Sequence, residues 1–317
     1  MLGFLLRRCG VYGLYFHNDE QRFVLSISVE RDRDESEENK NDKNEPKQEE
    51  QSSGWSTGWF SSFFSSGRVD PFTRGGICTQ SLLAVLKANA AEKGWRSLDF
   101  DSLLRQIGNL LNRQRESAGV IMRGSSRLDT RTLGTVWTET AEVRRALLVG
   151  LCYPATNATN ATNATNATAK LPELHGSWND VTDMQAWLQS ENLFSASEIR
   201  SLTDEPTGNE PGRVSREQIL QGLRWLLLGS GGSGGGGSGS GEARLLFHFS
   251  GHGDGLKLCP SEESDLPISD FELSEMINEF LPSNATLTCI FDCCDGTKML
   301  DGLLRHPIAF GTTQNLY

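Results

Sequence analysis

His252 stands between Gly251 and Gly253 at the exit of an apolar run, 245–249, and Cys294 follows a second apolar run, 286–291. A thiolate beside an imidazole is the usual way to obtain a nucleophile at neutral pH. This pair therefore suits acyl transfer through a thioester, with His252 taking the proton and Cys294 attacking a carbonyl. Glycines on both sides of His252 let the backbone approach a substrate closely. The backbone N–H groups of Gly253 and Cys294 are candidates to hold the negative oxygen of the tetrahedral intermediate. Cys293 is the rival nucleophile. Other reactive types read as packing: His248 lies inside its strand, and Cys152 and Cys289 sit in apolar surroundings where thiols are inert.

Both residues need strands to deliver them. The runs 146–149, 245–249 and 286–291 are short and apolar on both faces, the mark of buried parallel strands. Helical periodicity separates them: 180–190 carries Met184, Trp187 and Leu188 on one side, and 271–280 is helical. Ser215 with Gln218 forms a capping box opening a helix to Leu228. Alternating strand and helix predicts a mostly parallel sheet covered on both faces, with chemistry at the carboxyl ends of the strands. Before this unit, 22–29 alternates like a strand, and 81–91 and 101–113 read as helices, the second with Leu103, Leu104, Ile107, Leu110 and Leu111 on one face.

Between these elements lie segments that cannot bury a core. Residues 30–50 hold ten acidic and five basic side chains, so disorder is expected there. Residues 54–67 are Ser/Gly-rich but carry Trp55, Trp59, Phe60, Phe63 and Phe64, and 229–241 is pure Gly and Ser, a flexible loop. A net charge of −11 disfavours nucleic acid and anionic membranes and allows a basic substrate. No run of about 18 apolar residues reads as a membrane span, and 1–16 lacks the form of a secretory signal. Seven cysteines without a C-x-x-C pair fit a reducing, cytoplasmic setting rather than a disulfide framework or a zinc site. The Asn-Ala-Thr sequons from Asn157 are then expected to be unused.

His-Phe-Ser-Gly-His-Gly (248–253) followed by Ile-Phe-Asp-Cys-Cys (290–294) resembles the catalytic core of the metacaspases, peptidases of the caspase-like clan. The likeness extends to 146–150 with Tyr153-Pro154, to Asn179-Asp180-Val181 with Met184 and Leu188, to Leu202-Thr203-Asp204 and to Ile268-Ser269-Asp270, covering about 144–301. The family's small subunit should follow the nucleophile, yet matching features come first. Ser26-Ile27-Ser28 with Asp32 and Ser36, Gly75-Gly76, Leu103-Leu104 with Ile107, and 124–129 are similar to its elements. That order resembles the type III metacaspases, found mainly in algae.

The resemblance implies one caspase-like three-layer α/β sandwich with permuted subunit order. Residues 1–130 would be the small-subunit-like region, with a disordered insertion at about 30–72; 131–143 would be a linker, and 144–317 the catalytic region. Parallel strands pair whatever their chain order, so the permutation need not disturb the sheet. The implied activity is a cysteine endopeptidase cutting after Arg or Lys. The residues at the family's substrate pocket are Ser177, Asp180, Ser250 and Asp292. Asp180 is expected in the loop before its helix, and alternation is expected to put Asp292 and Cys294 on one face. Two converging carboxylates favour a cation between them, a guanidinium best. Calcium is implied as an activator, with Asp270 and Asp301 at the family positions, although Phe271 replaces an acidic residue; the alternative for Asp270 is a helix N-cap. Asp295 stands where the family has a His and is expected to point away from the thiol. Protein or peptide substrates, no nucleic acid and a monomer are expected. The alternative from another class is an inactive caspase-like scaffold.

Overall fold

The computed structural model describes residues 10–15, 23–28, 30–31, 75–92, 94–113, 118–119, 121–124, 132–137, 140–154, 171–207, 212–228, 242–254, 256–262, 265–282, 285–294, 296 and 299–300. The readings made on the charged and aromatic segments, on the Gly/Ser loop, and on Asp295 and Asp301 lie outside these residues, apart from Glu30–Arg31.

In chain order the strands are β1 (Gly10–Tyr15), β2 (Phe23–Ser28), β3 (Glu30–Arg31), β4 (Ala118–Gly119), β5 (Ile121–Gly124), β6 (Val143–Gly150), β7 (Ile199–Thr203), β8 (Ala243–Ser250), β9 (Lys257–Leu258), β10 (Ile268–Ser269) and β11 (Ala285–Asp292). Seven form one sheet in the order β5-β1-β2-β11-β8-β6-β7. β1 and β2 are antiparallel; every other pairing in it is parallel. The expected strand at 22–29 is β2, and it lies beside β11 with Leu287 opposite Val24 and Ile290 opposite Ile27. β1 was not foreseen, because Gly10 and Gly13 break any alternating apolar pattern there.

The helices are α1 (Ile77–Glu92), α2 (Phe100–Arg113), α3 (Leu133–Val136), α4 (Ser177–Ser190), α5 (Arg216–Leu227) and α6 (Asp270–Phe280). Strand alternation sorts them into layers. Ala146, Leu148, Leu246 and Ile290 pack into one core with Leu82, Leu86, Leu103, Ile107, Met184 and Leu188 of α1, α2 and α4. Leu147, Val149, Leu245, Phe247, Cys289 and Phe291 pack into a second with Ile219, Leu223, Leu273 and Ile277 of α5 and α6. This is a mostly parallel sheet with helices on both faces, a caspase-like α/β fold. Burying each such Leu, Ile or Phe contributes about 1.5–3 kcal/mol.

Two boundary expectations need correcting. Within the supposed linker 131–143, Leu133, Val136 and Trp137 are buried, and Leu133 N–H donates to the Leu98 carbonyl at 2.8 Å. Trp137 stacks edge-on with Trp187 of α4 at 5.5 Å and lies 5.9 Å from Trp95, so this stretch belongs to the core. α1 begins at Ile77, four residues before the expected start, because carboxylates from elsewhere in the chain satisfy its first amides. At α5, Ser215 and Gln218 make the reciprocal capping bonds that their spacing predicts.

Candidate active site

β8 ends at Ser250 and β11 at Asp292, residues that face each other across the ladder. Gly251 N–H donates to the Asp292 carbonyl at 3.2 Å, after which both chains leave the sheet. The exit of β8 is gripped from behind. His252 N–H donates to the Tyr153 hydroxyl at 2.9 Å, and that hydroxyl donates to the Cys259 carbonyl at 2.6 Å. The two rings lie 4.7 Å apart. The His252 Nε2 is 2.7 Å from the Pro172 carbonyl, which fixes Nε2 as the protonated, donating nitrogen and leaves Nδ1 as the acceptor of the neutral ring.

Tyr153 holds this post in a left-handed backbone conformation, φ 54°. Non-glycine residues adopt that only where the surroundings enforce it. Here the enforcer is Asp204, fully buried at the exit of β7. Its carboxylate accepts from Cys152 N–H and Tyr153 N–H, each at 2.8 Å, and from the Trp178 indole at 2.6 Å. Burial also pushes the Tyr153 phenol far above its ordinary pKa, so it stays protonated as the donor to Cys259. Sequence reasoning noted Tyr153 and Asp204 only as parts of longer matches. Pro172 had no signal at all, since a backbone carbonyl leaves no trace in residue type.

The exit of β11 is a turn closed by Gly296 N–H on the Cys293 carbonyl at 3.2 Å. Cys294 is exposed and Cys293 half-buried. The strand ends at Asp292, so the expected alternation between Asp292 and Cys294 does not continue to the thiol. The two exits touch: a Cβ at Gly253 would sit 2.2 Å from the Cys294 carbonyl oxygen and 3.2 Å from the Cys293 sulfur. A glycine is required for this approach, and it sets His252 and Cys294 in adjoining loops.

Behind these loops two carboxylates converge. Asp180 lies in the first turn of α4, not in the preceding loop as expected, and is fully buried. α4 comes this close because β6 ends in Gly150, where a Cβ would be 2.4 Å from the Ser177 carbonyl. Asp180 accepts from Ser250 Oγ at 2.8 Å, from Gln80 Nε2 at 2.9 Å, and from Gly76 N–H at 2.8 and 3.0 Å. Asp292 accepts from Thr79 N–H at 2.7 Å. Burial, then the Asp292 charge, raises the Asp180 pKa well above the usual carboxylate range against these bonds. Burial raises Asp292 as well, opposed by the Thr79 and Cys78 amides and the Thr79 hydroxyl. Asp180, Ser250 and Asp292 are thus brought together. Ser177 is buried one turn earlier on α4, with its backbone toward Gly150 and the Cys152 thiol.

Of the two residues implied for calcium, Asp301 lies outside the described residues and Asp270 lies within them. Ser269, not Asp270, is the N-cap of α6, its hydroxyl accepting from Glu272 N–H at 3.2 Å. The buried Asp270 carboxylate accepts from Leu300 N–H. No group of three or more His, Cys, Asp or Glu side chains suited to a metal occurs among the described residues. Among them no helix is long and apolar enough to cross a membrane.

A parallel sheet delivering a histidine and a cysteine at adjacent strand exits defines a caspase-like cysteine-peptidase fold. The family model described as "Metacaspase, peptidase C14 domain" matches residues 144–303, half of the sequence, and the chain belongs to that family, a family of cysteine-type peptidases and so of hydrolases. Similar proteins include Metacaspase-9 of Arabidopsis thaliana, 30% identical over 50% of this chain and 45% of its own length. Metacaspase-2 of Trypanosoma brucei brucei is 29% identical over 50% of this chain and 42% of its own. Metacaspase-1A of Neurospora crassa is 27% identical over 52% and 36%. The chain thus spans less than half the length of these relatives.

Proposed function

We propose that this protein is a cysteine endopeptidase that cuts after Arg, and less well after Lys, with Cys294 as nucleophile and His252 as its base. The observation that carries the reading is the convergence of Asp180 and Asp292 behind the adjoining His252 and Cys294 loops. Two converging carboxylates, Asp180 buried and Asp292 half-buried, repel each other, and a cationic side chain entering between them relieves that repulsion. Caspase-like chemistry on an acidic substrate would need the opposite charge in this place.

The steps follow from the groups present. Pro172 and Tyr153 orient His252, whose Nδ1 takes the Cys294 proton. The sulfur bonds to the substrate carbonyl carbon, and the oxygen takes the negative charge, held by the amides of Gly253 and Cys294. The amine leaves with the proton from His252, and water then hydrolyses the thioester by the same route in reverse. Residues 1–130 supply, in this reading, the small-subunit-like part in permuted order; the parallel pairing of β2 with β11 supports it. Calcium activation is a separate proposal through which no step is routed, and unchanged activity in EGTA would remove it. A cytoplasmic monomer acting on proteins or peptides is proposed on the same footing.

Fluorogenic peptides ending in Arg or Asp decide the main reading. Arg-ended substrates should be cut and Asp-ended ones hardly at all. Cys294→Ala should abolish cleavage while Cys293→Ala keeps it. Equal rates on both substrates sink the pocket assignment, and a protein inactive on all of them favours the scaffold reading.

A further inference from the structure

Apart from the Ser250 hydroxyl, the donors that hold the two pocket carboxylates come from residues 76–80, outside the segment matched by the family model. We propose that Thr79 and Gln80, with His248 behind Thr79, are positioning residues that fix Asp292 and Asp180 and so set the preference for a basic side chain. This inference rests on the pocket reading above.

The geometry is a chain of three groups. His248 is fully buried on β8, and its Nε2 lies 2.9 Å from the Thr79 hydroxyl. Its Nδ1 has no partner. A buried N–H without a partner costs more than a bare lone pair, so the single proton of the neutral ring belongs on Nε2. His248 then donates to Thr79 Oγ1, which frees the Thr79 hydroxyl proton for the Asp292 carboxylate. The Thr79 amide binds the same carboxylate at 2.7 Å. Thr79 therefore holds Asp292 by two bonds, and His248 fixes the direction of the second. Gln80 does the equivalent for Asp180: its Nε2 bonds Asp180 at 2.9 Å and also reaches Asp183 at 3.3 Å.

Glycine is obligatory at the approach. A Cβ at Gly75 would lie 2.1 Å from Asp180 Oδ1, and one at Gly76 would lie 2.2 Å from Asp292 Oδ2. The first turn of α1 is thus a fitted inner wall. It neutralises part of the carboxylate charge without supplying a competing cation, and it leaves the remaining charge for a substrate.

The test uses the full chain and Arg-ended and Asp-ended fluorogenic peptides, with KM and kcat measured separately and Cys294 alkylation by iodoacetamide as an independent readout. Thr79→Val keeps the shape and the amide but removes the hydroxyl; it should raise KM for the Arg-ended peptide about tenfold, with kcat and alkylation nearly unchanged. His248→Leu should behave alike, whereas His248→Gln, which keeps an N–H donor, should restore KM to within about twofold of wild type. Gln80→Leu should raise KM through Asp180. A wild type without an Arg preference defeats the pocket reading and this inference together. A wild type with that preference, alongside an unaltered KM in Thr79→Val or a His248→Gln no better than His248→Leu, defeats this inference alone.

Discussion

His248 gives the fold an acid sensitivity whose size can be worked out. The ring is fully buried and lies against Thr79 of α1, and burial lowers its pKa from 6.5 to about 3. Unfolded, it titrates normally. A base with a depressed native pKa leaves stability intact above the unfolded value and drains it as pH falls from 6.5 toward 3. At pH 5 the unfolded chain gains about 2 kcal/mol from protonating this one residue, and below pH 3 the total approaches about 5 kcal/mol. Asp180 and Asp292 act with the opposite sign. Their raised pKa values contribute stability at low pH that is lost as pH rises through the native values. Both proteins in a comparison carry them, so the difference isolates His248. Urea unfolding of wild type and His248→Gln at pH 7, 6 and 5 should show wild type losing about 2 kcal/mol more than the variant across that span. Parallel pH dependences in the two proteins would show that His248 is protonated or solvated in the native state, and the neutral-ring argument would fall with it.

Three further outcomes follow from the same contacts. Asp204→Ala leaves the Cys152 and Tyr153 amides and the Trp178 indole without their shared acceptor; thermal unfolding should show a loss of about 3 kcal/mol or more, and a loss below about 1 kcal/mol contradicts the assigned role. Tyr153→Phe removes the hydroxyl between His252 N–H and the Cys259 carbonyl. It should lower kcat about tenfold with the KM for Arg-ended peptides unchanged, and an unchanged kcat means that His252 needs no such support. Gly76→Ala drives a methyl group against Asp292 Oδ2; it should weaken Arg-ended substrates through KM, and wild-type kinetics with wild-type stability would show that α1 can withdraw without consequence.

The central strands were legible because burial on both faces writes itself as short apolar runs: 146–149, 245–249 and 286–291 each lie inside an observed strand. The helix faces of α2 and α4 were legible for the same reason, through 3.6-residue periodicity. The start of α1 was not, because the groups satisfying its first amides are carboxylates more than 100 positions away. Nor was the packing of 133–137, where a four-residue helix is too short to show a period. At the candidate site, His252 and Cys294 stood out by residue type and position at strand ends, and Asp180 and Asp292 by their resemblance to a pocket. The supports were silent. Thr79 reads as an ordinary helix residue and His248 as an ordinary core residue until the fold sets one on the other.

Two carboxylates converging on one site, Asp180 buried and Asp292 half-buried, present a physical problem that the first turn of α1 answers. An isolated buried carboxylate costs several kcal/mol, and a like charge beside it adds to that cost. A lysine or arginine from the protein itself would solve the problem but would occupy the place of the proposed basic substrate. Backbone amides at a helix start carry only partial positive charge and remain at the wall. Gly76, Cys78 and Thr79 provide such amides, and Ser250 and Gln80 add neutral donors. The carboxylates are therefore held in place, while burial, with the Asp292 charge acting on Asp180, still raises their pKa values. In the proposed reading a guanidinium arriving with the substrate favours their charged forms. Because the amides come from residues 76–79 and the carboxylates from residues 180 and 292, the proposed pocket requires both parts of the chain to be packed together.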